Sequence, residues 1–123
     1  MTIYIADDDH AVCISLALLL KRAGFDQKTF SQPRDLLVAL ERQKPDLILL
    51  DMNYTIDTSG RKGITTLKEI LDVYPKMPVM LMTGWATVQL AVEGMKIGAK
   101  DFIAKPWDNQ HLLQSIKTIL ALD

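Results

Sequence analysis

Four short apolar runs in this chain read as β-strands, and each closes on a polar residue suited to phosphate chemistry. Ile3-Tyr4-Ile5-Ala6 runs into Asp7-Asp8-Asp9, and Leu47-Ile48-Leu49-Leu50 runs into Asp51. Val79-Met80-Leu81-Met82 runs into Thr83, and Phe102-Ile103-Ala104 into Lys105-Pro106. The run ahead of Asp51 is apolar at every position, as expected of a strand covered on both faces. A fifth, shorter strand is expected over residues 26–30.

Helical patterns separate these runs. Residues 11–23 are mostly apolar and are closed by Gly24, and Pro33 in a first-turn position opens a second helix carrying Leu36, Leu37 and Leu40. A third helix begins near Gly63, with Ile64, Leu67, Ile70, Leu71 and Tyr74 at helical spacing. Val88, Ala91, Val92 and Met95 give the fourth a narrow apolar stripe that stops at Gly98. Asp108 caps the last, with Leu112, Leu113, Ile116, Ile119 and Leu120 turned inward. Residues 53–62 contain Thr58-Ser59-Gly60 and read as a loop. The alternation predicts an α/β fold: a doubly wound five-stranded parallel sheet with right-handed crossovers and helices on both faces.

With 123 residues the chain reads as one domain, residues 1–123. A net charge of −1 gives no basic footprint, which argues against direct nucleic-acid binding. Cys13 is the sole cysteine, so no internal disulfide forms; in an apolar helical run it reads as a small buried hydrophobe in a reducing compartment. No apolar run approaches the ~20 residues of a membrane span. Met1 leads straight into a strand with no signal peptide. A cytoplasmic location is the expectation.

In a parallel sheet the carboxyl ends of the strands line one edge, where ligands bind. That edge would gather Asp7, Asp8 and Asp51. Close like charges repel, and a fold tolerates them when something positive sits among them. Hard oxygen ligands, and few of them, point to Mg²⁺, which binds through one or two carboxylates plus phosphate. Asp9 suits a helix N-cap. Lys105 supplies a fixed positive charge, and Pro106 biases it toward an extended backbone rather than a loose surface position. Thr83 is either a ligand hydroxyl or a helix cap, and Gly84 leaves room for a ligand to approach the backbone.

Asp7-Asp8, Asp51, Thr83-Gly84 and Lys105-Pro106, each after its strand, resemble the receiver domain of two-component response regulators, across essentially the whole chain. Met82-Thr83-Gly84-Trp85 and the run from Gly98 to Trp107 look most like receivers at the N-terminus of AAA+ transcriptional activators. The resemblance implies a flavodoxin-like sheet of strand order 2-1-3-4-5. It implies that Asp51 accepts a phosphoryl group from a sensor histidine kinase. Asp7 and Asp8 match the acid pair that holds Mg²⁺, and Asn53 the position whose backbone carbonyl completes that site. Thr83 matches the switch hydroxyl, Lys105 the family's lysine, and Phe102 the aromatic that packs inward on activation. The implied role is phosphorelay signalling rather than enzymatic turnover, with C-terminal AAA+ and DNA-binding output domains and room for a homodimer on phosphorylation.

Two features depart from the family pattern. The segment from Asp51 to Gly63 is longer than the usual receiver loop and lacks the common Met-Pro pair. It is either inert or a cover that shields the acyl phosphate from water. Trp85 either restricts the attacking water at the rim or contacts a partner. Rival readings are a stand-alone phosphate shuttle, a haloacid-dehalogenase-type phosphatase and a flavin carrier. Asp51-Met52-Asn53-Tyr54-Thr55 meets the phosphatase signature only loosely, with Asn53 where the general acid belongs. The carrier reading needs a Ser/Thr/Gly-rich phosphate loop where Asp7-Asp8-Asp9 stands. The chain stops where the last helix should finish, which fits an excised N-terminal domain or a complete stand-alone one.

Overall fold

A computed structural model describes residues 1–52, 61–84 and 88–122. The elements run β1 (Thr2–Ala6), α1 (His10–Arg22), β2 (Asp26–Phe30), α2 (Pro33–Arg42), β3 (Leu47–Asp51), α3 (Arg61–Val73), β4 (Val79–Thr83), α4 (Val88–Ile97), β5 (Asp101–Ala104) and α5 (Asn109–Leu122). The strands form one sheet in the order β2-β1-β3-β4-β5, with every neighbouring pair parallel. This is the doubly wound architecture that the alternating runs predict.

The period-two alternation of strand side chains divides the core into two layers. Ile3, Ile5, Leu47, Leu49, Met80 and Met82 pack with Leu16 and Leu20 of α1 and with Leu112 and Ile116 of α5. Tyr4, Ala6, Ile48, Leu50, Val79 and Leu81 pack on the other face with Leu36 and Leu40 of α2 and with Ile64, Leu67 and Ile70 of α3. β3 and β4 are buried along their whole length. Full burial of each large aliphatic there contributes about 1.5–3 kcal/mol. β2, by contrast, is a half-exposed edge strand of sequence Asp-Gln-Lys-Thr-Phe, and charged side chains on an edge discourage pairing with other chains.

Helix ends follow local chemistry. The Asp9 carboxylate accepts hydrogen bonds from the Ala11 and Val12 N–H groups, satisfying two of the donors a helix start leaves open. Gly24, at φ 92°, supplies the left-handed turn after α1. Pro33 stands in the first turn of α2. Asp108 accepts from the Gln110 N–H at 2.8 Å at the start of α5.

α3 spans Arg61–Val73 with Gly63 in its first turn, as expected. One helical expectation needs correction. The apolar stripe of α4 is displaced: Val92 is 45% exposed, while Ala91 is buried and Leu90 and Met95 pack against the α3 side of the core. The cause is Gly94, which is buried and lets α4 settle onto Leu81 and Leu67. A pattern built on large apolar residues passes over a glycine used as a contact.

Candidate functional site

The parallel register brings the polar strand ends together. Ala6 of β1 pairs with Leu50 of β3, so Asp7 and Asp51 follow side by side. Asp51 in turn pairs with Met82 of β4, and Thr83 with Ala104 of β5, which puts Thr83 and Lys105 one step further along the same edge. The Lys105 N–H donates to the Thr83 carbonyl at 2.8 Å. The Lys105–Pro106 peptide bond is cis.

Asp7 and Asp51 are buried, at 1% and 0% exposure, whereas Asp8 is half-buried. Carboxylates this deep require partners. The Lys105 ammonium donates to Asp7 Oδ2 at 2.8 Å and to Asp51 Oδ1 at 3.1 Å. Asp7 Oδ1 also accepts from the Asp9 N–H at 2.9 Å. Burial by itself would lower the Lys105 pKa. The hydrogen bond to Asp7, the Asp51 and Asp7 charges and the hydrogen bond to Asp51 outweigh it, so the group sits above an ordinary lysine. Lys105 is therefore a held cation, not a surface lysine.

Asp7, Asp8 and Asp51 each offer a carboxylate oxygen, and these oxygens lie within 4.8 Å of one another. The cluster's donors are hard oxygens converging on one point, the donor set that suits a hard divalent cation. These donors come from the turn after β1 and the end of β3.

Thr83 is fully buried at the end of β4, with its hydroxyl donating to the Gly84 carbonyl at 3.1 Å. Phe102 is half-buried on β5, opposite Leu81, and packs on the α3 side of the core. Gly84 is half-buried beside Thr83. Asn53 and Trp85 lie outside the described residues, as do residues 53–60 of the long loop. Cys13 is buried under the acids as expected, and its thiol donates to the Asp7 carbonyl at 3.2 Å. Burial, then the Asp7 and Asp9 charges, push that thiol's pKa up. Asp7 is more than one of a pair of acids, because it also anchors Lys105 and the turn into α1. Sequence reading places Lys105 among the acids at the sheet edge but does not give which carboxylates it bonds, since Lys105 and Asp7 stand 98 positions apart and meet through the strand order.

Residues 3–117 match the family model of the response regulator receiver domain. The chain belongs to that family. This receiver domain is 35% identical over 119 residues to the transcriptional regulatory protein ZraR of Escherichia coli (strain K12), a match covering 97% of this chain and 26% of that protein. The chain thus spans about a quarter of the ZraR length. It is 36% identical over 118 residues to the transcriptional regulatory protein FixJ of Bradyrhizobium diazoefficiens, covering 96% of this chain and 56% of that one. Among solved structures it resembles the N-terminal signal receiver domain of a two-component response regulator from Bacteroides fragilis, with a TM-score of 0.87, 42% identity and coverage of 97% and 95%. It also resembles the receiver domain of NtrX from Brucella abortus, with a TM-score of 0.91, 26% identity and coverage of 98% and 99%. The family match leaves the phosphatase and flavin-carrier readings without support. Among the described residues no helix is long and apolar enough to cross a membrane.

Proposed function

We propose that this receiver accepts a phosphoryl group on Asp51 from the phosphohistidine of a sensor histidine kinase. The observation that carries the reading is the buried Asp51 carboxylate, bonded by Lys105 and gathered with Asp7 and Asp8. In the transfer the donor's P–N bond breaks and a bond from an Asp51 oxygen to phosphorus forms. Such reactions depend on positioning and charge neutralisation. Asp7, Asp8 and Asp51, with the Asn53 carbonyl, would hold Mg²⁺; when bound, Mg²⁺ supplies charge neutralisation for the incoming phosphoryl oxygens. Lys105, already within bonding distance of Asp51, pairs with a phosphoryl oxygen through a charge-assisted hydrogen bond.

Thr83 then turns from the Gly84 carbonyl toward the new anion, and Phe102 moves further into the space this vacates. Phe102 has no hydroxyl, so its two states differ by packing alone. The phosphoryl group thereby biases the surface of α4, β5 and α5. Whether Trp85 and the loop after Asp51 govern phosphate lifetime, or serve a partner contact and an inert insertion, is decided by the dephosphorylation rates of Trp85→Ala and a loop-shortened variant. The chain catalyses no turnover on a separate substrate. Residues 1–123 act as one domain in the cytoplasm, coupled in the full protein to C-terminal AAA+ and DNA-binding output. The names of ZraR and FixJ as transcriptional regulatory proteins support a transcriptional output. A homodimer formed on phosphorylation fits it as well.

The test is intact-mass measurement with Mg²⁺ and acetyl phosphate, followed by heteronuclear NMR. One phosphoryl adduct on the wild type, none on Asp51→Asn, and shifts at Thr83 and Phe102 are expected. An adduct that survives in Asp51→Asn would refute the assignment.

A further inference from the structure

Gly63 sits in the first turn of α3, buried against the residue that follows Asp51. A Cβ added to it would stand 2.7 Å from Met52 Cα and 3.1 Å from both the Met52 carbonyl oxygen and Sδ. Real Cβ atoms essentially never come as close as the first of these distances. The obstructing atom is backbone, so no rotamer change relieves it. Met52 is itself fully buried, and its N–H donates to the Met82 carbonyl at 2.8 Å. The peptide that carries Asp51 into Met52 is therefore held on one side by β4 and on the other by α3.

Gly94 of α4 provides the contrast. A Cβ there would stand 2.5 Å from Leu81 Cδ1, the far end of a side chain. Both glycines are poor helix formers placed inside helices. Only Gly63 abuts the backbone of a strand end in the acid cluster.

We propose that Gly63 is a positioning residue for Asp51: it seats α3 directly on the Met52 backbone and so fixes the Asp51 carboxylate relative to Asp7 and Asp8. The inference rests on Asp51 being the phosphoacceptor. A side chain at position 63 has to push Met52 and α3 apart, and the displacement reaches Asp51 through one peptide unit. Its signature is a weakened metal site in a chain that remains folded.

The test compares wild type, Gly63→Ala and Gly94→Ala. Mg²⁺ is titrated calorimetrically without any phosphodonor, adduct formation from acetyl phosphate is timed by intact mass, and stability is read from urea unfolding. Gly63→Ala should need at least about tenfold more Mg²⁺ for half-saturation and form adduct at least about tenfold more slowly. Gly94→Ala should stay within about twofold on both, whatever its change in urea midpoint. Wild-type Mg²⁺ binding by Gly63→Ala, or an equal loss in Gly94→Ala, would overturn the inference while leaving the phosphoacceptor assignment standing. A wild type that takes no adduct would defeat both. If Gly63→Ala does not fold, Met52→Ala decides. That variant removes the Sδ contact and keeps the backbone seat, so Mg²⁺ affinity within twofold of wild type is expected. A larger loss would place the control in side-chain packing and reject the proposal.

Discussion

At the scale of single residues, Lys105 organises the site. It bonds two buried carboxylates at once, and under the proposed function it stands among the groups that would hold Mg²⁺. Replacing it by alanine leaves buried anions uncompensated, a loss that costs about 3–5 kcal/mol for a fully buried pair. Lys105 keeps a quarter of its side chain exposed, so a cost nearer 2 kcal/mol is expected in EDTA. Mg²⁺ should bind Lys105→Ala at least about tenfold more tightly, since unit charges 4 Å apart interact by about 4 kcal/mol at an effective dielectric of 20. Calorimetric titration checks this, and equal affinities would show that the ammonium does not compete. The pH dependence follows from the direction of the shift. The folded pKa is raised, so the stabilisation is complete below the ordinary lysine value of 10.5 and fades only as pH rises through the higher folded value. Wild type and Lys105→Ala should therefore differ by a constant urea stability from pH 7 to about 9.5 and converge only above 10.5.

At the scale of elements, the strands were the most legible part of the sequence. Runs such as Leu47–Leu50 have one plausible environment, and the polar residues closing them mark the carboxyl edge. Helices were legible where large apolar residues face inward, as in α3 and α5. α4 was misjudged where a glycine makes the contact: Gly94 packs on Leu81 and Leu67, and Val92 is left exposed. Caps were readable because aspartate at a helix start has a specific task. Asp9→Ala should accordingly cost about 1 kcal/mol of stability and leave acetyl phosphate labelling of Asp51 within twofold, because the Asp9 side chain serves α1 and not the acid cluster. Urea unfolding beside a labelling time course separates the two effects. A matching fall in both would mean that the cap also sets the site.

At the scale of the whole molecule, the proposed metal ligands follow or end two adjacent strands, β1 and β3, so metal binding there would couple to folding. A ligand bound only by the folded chain stabilises it by about 2.7 kcal/mol at one hundred times its Kd. For a domain of this size that corresponds to roughly 10 °C in Tm. Saturating Mg²⁺ should raise the wild-type Tm by about that much and leave Asp8→Asn and Asp51→Asn with a much smaller shift; equal shifts in scanning calorimetry would place the metal elsewhere. At this scale the sequence grouped the acids and Lys105 at one sheet edge and left unread which of them bond. Asp7, Asp51 and Lys105 were each visible as strand-end residues, yet their bonds depend on a strand order that no local pattern encodes.

That long-range pairing also bears on the order of events at the ribosome. The cation that Asp7 and Asp51 share arrives 98 and 54 positions after them in the chain. Contacts of such sequence separation close late, after the entropy of the intervening loops has been overcome. A nascent chain that has displayed β1 through β4 but not yet β5 exposes its acids without their counter-charge. Under the proposed phosphoacceptor role, the site is complete only once the fifth strand has joined the sheet and Lys105 has reached Asp7 and Asp51.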